Sequence, residues 1–196
     1  MTQRLFHFAL RCLLTALLGL ALLHPAVQAA EVDVQQAQLE SSDDNYRLAA
    51  SFSFELNRGL EDAVLRGIAL YFTTDVELTR RRWYWLDEKT QTATQTVRVS
   101  YNLLTRQYNA AVYNPSSTGR MQQSFATLDE ALALVRRPSR WVVVEKAQLK
   151  SGENYQVALR MRLDLTQLPK PFQVNAINNS DWRLSSDWKH FTFRAD

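Results

Sequence analysis

Along most of this chain apolar residues recur at every second position. Between Tyr46 and Leu56, the residues Tyr46, Leu48, Ala50, Phe52, Phe54 and Leu56 share one side, and the intervening positions are mostly polar. Successive side chains of a strand point to opposite faces, so this spacing predicts a half-buried strand. Ile68, Leu70, Phe72, Val76 and Leu78 repeat the pattern with Thr74 in phase, as do Val97, Val99 and Tyr101, then Tyr108, Ala110 and Val112. Further strands are predicted at Trp141 to Val144, at Tyr155 to Leu165 and at Trp188 to Phe193.

Two stretches follow a helical period instead. Asn57 is placed to cap a helix from Arg58 to Arg66, with Leu60, Val64 and Leu65 at helical spacing and Glu61-Asp62 in the first turn. Thr127 is placed to cap Leu128 to Arg137, with Leu128, Ala131, Leu132 and Val135 on one face. Early acids, late Arg136-Arg137 and the stop at Pro138 suit the helix dipole.

The chain also looks self-similar. Ala37-Gln-Leu-Glu-Ser41 with Asn45-Tyr-Arg-Leu-Ala49 resembles Ala147-Gln-Leu-Lys-Ser151 with Asn154-Tyr-Gln-Val-Ala158. Each reads as strand, polar turn, strand, although hairpins also share turn chemistry without being repeats. Thr94–Tyr101 with Gln107–Tyr113 forms a middle hairpin, and Thr166–Asn175 a helical or looped turn. Three hairpin units with helical crossovers predict a mainly β fold: an antiparallel sandwich or open barrel of about eight strands with two short helices.

The N-terminus changes the picture. Arg4 and Arg11 precede the apolar run Cys12 to Leu23, and His24-Pro-Ala-Val-Gln-Ala-Ala30 supplies small residues for cleavage. This predicts a signal peptide over residues 1–29, with cleavage after Ala29 or Ala30, and one β-rich domain over residues 30–196. A run of about 12 residues is short of the roughly 18–20 that span a bilayer, so no stable transmembrane anchor is expected after cleavage. Periplasmic localisation follows as an expectation.

Loss of Arg4 and Arg11 takes the formal net charge from +3 to near neutrality. A nearly neutral domain has no general electrostatic attraction for nucleic acid. The one cysteine, Cys12, leaves with the signal, so disulfides are excluded from the mature chain.

The strings Arg82-Trp-Tyr-Trp-Leu-Asp-Glu88, Ser100-Tyr-Asn-Leu-Leu-Thr-Arg-Gln-Tyr108 and Leu159-Arg-Met-Arg-Leu-Asp-Leu-Thr-Gln-Leu-Pro-Lys-Pro-Phe-Gln-Val-Asn175 carry a resemblance, with Trp182 and Ser186-Asp-Trp188. They resemble a family of secreted proteobacterial proteins catalogued as domain of unknown function 4390. The resemblance covers nearly the whole mature chain. It implies an envelope location and an association with membrane sensor kinases, and it assigns no activity.

The inventory argues against catalysis. His190 is the one histidine outside the signal segment, and no Gly-x-Ser-x-Gly elbow is present. Asp87-Glu88 with Asp164 would be the carboxylates of a hydrolase, and Asp43-Asp44 reads as a turn. No metal or cofactor is expected.

Binding is better represented. In Arg80-Arg81-Arg82-Trp83-Tyr84-Trp85, a strand would place Arg81, Trp83 and Trp85 on one face and Arg82 and Tyr84 on the other. Arginine beside aromatics suits a sugar ring, an anionic headgroup or a peptide; the same aromatics can equally cap a sandwich edge. In Leu168-Pro-Lys-Pro-Phe-Gln173 two prolines predict an extended segment that presents Lys170 and Phe172. Arg136, Arg137 and Arg140 would add an anion-attracting surface.

The expectation is a periplasmic, non-enzymatic protein-interaction module with an envelope protein as partner, accessory to a sensor system. A glycan- or small-anion-binding protein is the alternative, and a carboxylate-based hydrolase a weaker one.

Overall fold

The computed structural model describes residues 31–80, 88–115, 121–138 and 141–196. Over these residues the chain forms two antiparallel sheets packed face to face. Strands β1 (Asp33–Ser41), β2 (Asn45–Ser53) and β7 (Trp141–Glu145) form one sheet in the order β1-β2-β7. The other contains β3 (Leu70–Arg80), β4 (Glu88–Asn102), β5 (Gln107–Tyr113), β6 (Met121–Phe125), β8 (Asn154–Leu163) and β9 (Lys189–Arg194), in the order β6-β5-β4-β3-β8-β9. This is a sandwich, as the alternation predicts.

The period-two rows become the core. Tyr46, Leu48, Ala50 and Phe52 of β2 are buried, and so are Tyr155, Val157, Leu159, Met161 and Leu163 of β8. β1 lies against β9 and β7 against β4. Burial of each such side chain stabilises the fold by about 1.5–3 kcal/mol relative to exposure. Buried tyrosines keep their hydroxyls satisfied: Tyr46 Oη accepts the Asp196 N–H at 2.8 Å, and Tyr155 Oη that of Lys150 at 2.9 Å.

Both predicted helices are present. In α1 (Arg58–Leu65) Asn57 Oδ1 accepts the Leu60 N–H at 3.0 Å. In α2 (Leu128–Arg136) Thr127 and Glu130 cap one another reciprocally. Helix α2 lies against β2, β4, β5 and β6, covering the sheet where the smaller sheet does not reach. Its buried face is Ala131, Leu132 and Val135.

Two expectations are corrected. A third helix, α3 (Lys170–Asn178), agrees with the helical option for Thr166–Asn175 and replaces the extended segment expected for Leu168-Pro-Lys-Pro-Phe-Gln173. Pro169 is its cap residue, and Pro171 stands in the first turn, where a helix has no use for the amide hydrogen that proline lacks. The segment Ala147 to Ser151 is no strand. Lys146–Gln148 is a single 3-10 turn in which the Gln148 side chain accepts the Glu145 N–H at 3.3 Å. Asn45–Ser53 and Asn154–Leu163 consequently lie in different sheets, and the apparent repeat is not a structural one. The nine strands among the described residues agree with the expected sandwich of about eight, and β6 is the strand that the alternation does not predict.

Candidate functional site

The Arg81, Arg82, Trp83, Tyr84 and Trp85 segment lies outside the described residues. Strand β3 runs up to it, and Arg80 stands opposite Glu88 of β4 in the ladder.

The second expected pair is separated. Lys170 is exposed at the start of α3, and Phe172 is half-buried two positions on, where helical geometry turns it to a different face. Phe172 and Trp182 form one wall of a groove of about 360 Å³ whose other wall is Gly59, Asp62, Ala63, Arg66 and Ile68. Asn57, already the cap of α1, also donates through Nδ2 to the Asp181 carbonyl and ties the two walls together.

The polar face of the larger sheet carries an ionic ladder that single-sequence reading missed. Arg160 and Arg162 alternate with the buried Leu159 and Met161 and so project outward together. Asp75 receives both: Arg162 Nε at 3.3 Å and Arg160 Nη2 at 3.7 Å. Thr94 Oγ1 donates to the other oxygen of Asp75 at 3.1 Å. The Arg160 guanidinium also lies over Trp188, 4.5 Å from the ring centroid. This is the arginine–aromatic pairing expected of residues 81–85, here made by residues distant in sequence. The alternation Arg160-Met-Arg162 marks both arginines as outward-facing, and nothing local names their partners.

Asp164 is committed to the turn that follows it, Leu165–Gln167. Burial raises its pKa, but hydrogen bonds from the Gln167 and Thr166 side chains, the Thr166 N–H and the charge of Arg162 together outweigh burial and lower it. The contacts are 2.9 Å from Gln167 Nε2, 2.6 Å from Thr166 Oγ1 and 3.1 Å from the Thr166 N–H. A carboxyl held ionised in this way is not a proton donor near neutral pH. Asp87, its suggested companion, lies outside the described residues. His190 stands exposed on β9 opposite Ala158. Arg136 is tied to Asp129 and to the Phe54 carbonyl and ring; Arg140 lies outside the described residues. Among the described residues no group of three or more His, Cys, Asp or Glu is placed to hold a metal ion.

Four strands end the sheets, and their edges differ. β9 carries Lys189, His190 and Arg194. β1 carries Asp33 and Glu40, is irregular between Val34 and Gln36, and is flanked by a bridge from Glu31 to Ser185. The residues of β7 line a cleft of about 290 Å³ shared with Gln91 to Thr94 of β4. Such charges, irregularities and covers keep an edge from pairing with another chain. Strand β6 carries no charge and no irregularity; helix α2 packs against it, and its outer edge is not paired among the described residues. Its sequence Met-Gln-Gln-Ser-Phe is uncharged and proline-free, and Met121 to Ser124 are exposed. It pairs with β5 from Tyr108↔Phe125 to Val112↔Met121, and among the described residues no strand occupies its outer side.

Two antiparallel sheets packed as a sandwich define the class among the described residues: a mainly β, sandwich-like domain. The chain belongs to the family described as Domain of unknown function (DUF4390), which matches residues 29–192. No curated protein and no solved structure matches it.

Proposed function

We propose that this DUF4390 member is an exported periplasmic protein-interaction module that takes up a strand from an envelope protein along β6. The open, uncharged, proline-free β6 edge carries this reading. Strand addition draws affinity from main-chain hydrogen bonds and specificity from alternate side chains, so it needs no catalytic residue. Accessory action on a sensor protein is one form that such uptake takes. A photocrosslinker at Gln123, used in cells, tests it. A discrete protein adduct is the expected result, and its absence from a folded, exported chain argues against it.

A second reading, binding of a small ligand, is favoured by the Phe172–Trp182 groove. Its volume falls in the lower part of the roughly 300–1,000 Å³ range of small-molecule sites. Loss of ligand binding in Phe172→Ala with the β6 adduct intact would establish it beside the first.

A further inference from the structure

In polarity, strand β6 reads the same from either end. Met121-Gln-Gln-Ser-Phe125 has an apolar residue at each end, uncharged polar residues between them, and Gln123 at its centre. Met121, Gln123 and Phe125 stand opposite Val112, Ala110 and Tyr108 of β5 and share their core-facing side. Gln122 and Ser124 stand opposite Ala111 and Asn109 on the other face. Met121 is 54% exposed and Phe125 half-buried, so both apolar ends have surface left to cover.

Helix α2 does not close the outer side of this strand. It begins three residues after Phe125, and its Arg136 reaches the Phe54 carbonyl, so it runs inward from the end of β6. The outward backbone groups of β6 thus form a free ladder edge among the described residues.

An antiparallel copy of β6 centred on Gln123 matches that edge residue by residue. Residues directly opposite in a strand pair share a face. In this register Met121 meets Phe125 of the second copy, Gln122 meets Ser124, and Gln123 meets itself. A slip of one or two residues sets Met121 or Phe125 opposite a glutamine or a serine, and a slip of one also turns the core-facing side of the copy to the wrong face. The strand carries no charge, so nothing repels its own copy. A two-fold contact of this kind uses the same patch on both copies and closes on itself, which gives a pair and no fibre.

We propose that two copies of this chain pair antiparallel through β6 about a two-fold axis at Gln123, joining their six-stranded sheets into one. The contact is reversible, because one short strand offers well under the roughly 800 Å² per partner of a stable interface. Its consequence for regulation rests on the strand uptake proposed above. An edge held by a second copy is closed to an envelope protein, so uptake follows dissociation of the pair.

The test uses the full chain carrying Cys12→Ser, exported, purified and sequenced at its N-terminus. Sedimentation over a concentration series is expected to show monomer passing into dimer. Gln123→Glu and Gln123→Lys each weaken association about fivefold, because like charges then face each other across the axis, and an equimolar mixture of the two restores it. Under mild oxidation Gln123→Cys forms a disulfide dimer, and Gln122→Cys forms one with Ser124→Cys and not with itself. A chain that stays monomeric overturns the proposal, as does a dimer that ignores both charged variants or a mixture that restores nothing. The in-cell crosslink from Gln123 separates the pairing from the uptake. A monomeric chain that captures another protein removes the pairing and keeps the uptake; a dimer that captures only its own copy keeps the pairing and removes the uptake.

Discussion

The guanidinium of Arg160 lies 4.5 Å from the centre of the Trp188 ring, and the same guanidinium shares the Asp75 carboxylate with Arg162. Trp188 immediately precedes β9, so the stack pins the start of an edge strand to its neighbour β8.

Its two partners are unequal in stability terms. Arg160 Nε is buried and has no hydrogen-bond partner among the described residues, so part of the desolvation cost of the guanidinium is uncompensated there. Asp75 without Arg160 would keep Arg162 and Thr94. Arg160→Met should therefore change unfolding free energy by less than about 1 kcal/mol. Trp188→Ala should cost about 1–3 kcal/mol, since it removes both ring packing and the cation contact. Urea titration of the two variants measures the difference, and equal costs would refute this division.

Asp164 gives a pH-dependent prediction. Its folded pKa is lowered, so its contribution is fully present above the ordinary aspartate value of about 3.9. That contribution is lost as pH falls through the lower folded value. Asp164→Ala should destabilise the chain by about 1–2 kcal/mol near neutral pH through loss of the turn cap. The gap between variant and wild type should narrow below about pH 4. Thermal melts at several pH values decide it; a gap that stays constant with acidification contradicts the assignment.

Helix α2 rests on a capping box. The Glu130 N–H donates to Thr127 Oγ1 at 3.3 Å, and the Thr127 N–H donates to Glu130 Oε2 at 3.2 Å. Thr127→Ala should cost about 1 kcal/mol, whereas Thr127→Ser should be near neutral. Because α2 covers β5 and β6, amide exchange in those strands should quicken in the alanine variant alone.

Features carried by local pattern were legible in the sequence. Strands β2 and β8 show unbroken alternation because one face of each meets the core, and Asn57 and Thr127 announce their helices by chemistry within one turn. Strand β6 gave no signal: at an open edge with exposed side chains, Met-Gln-Gln-Ser-Phe has little to bury and no period to keep. The Ala147 to Ser151 segment misled because its likeness to Ala37–Ser41 of β1 is local, whereas the Glu145–Gln148 bond accompanies a 3-10 turn. Lys170 and Phe172 were placed on one extended segment because prolines suit an extended chain and a first helical turn equally well. The Arg160–Trp188 pair needed the β8–β9 register, which no local window contains.

Strand uptake at β6 is tested most directly by a pair of proline variants, Gln122→Pro and Gln123→Pro, read by the yield of the in-cell crosslink from Ser124. In an edge strand successive amide hydrogens point alternately to the neighbouring strand and outward. One proline therefore removes a bond to β5, and the other removes a hydrogen that only an incoming strand would use. The account predicts that one variant keeps wild-type stability and loses the adduct. If the variant of unchanged stability forms the adduct at wild-type yield, β6 does not bind its partner as a strand.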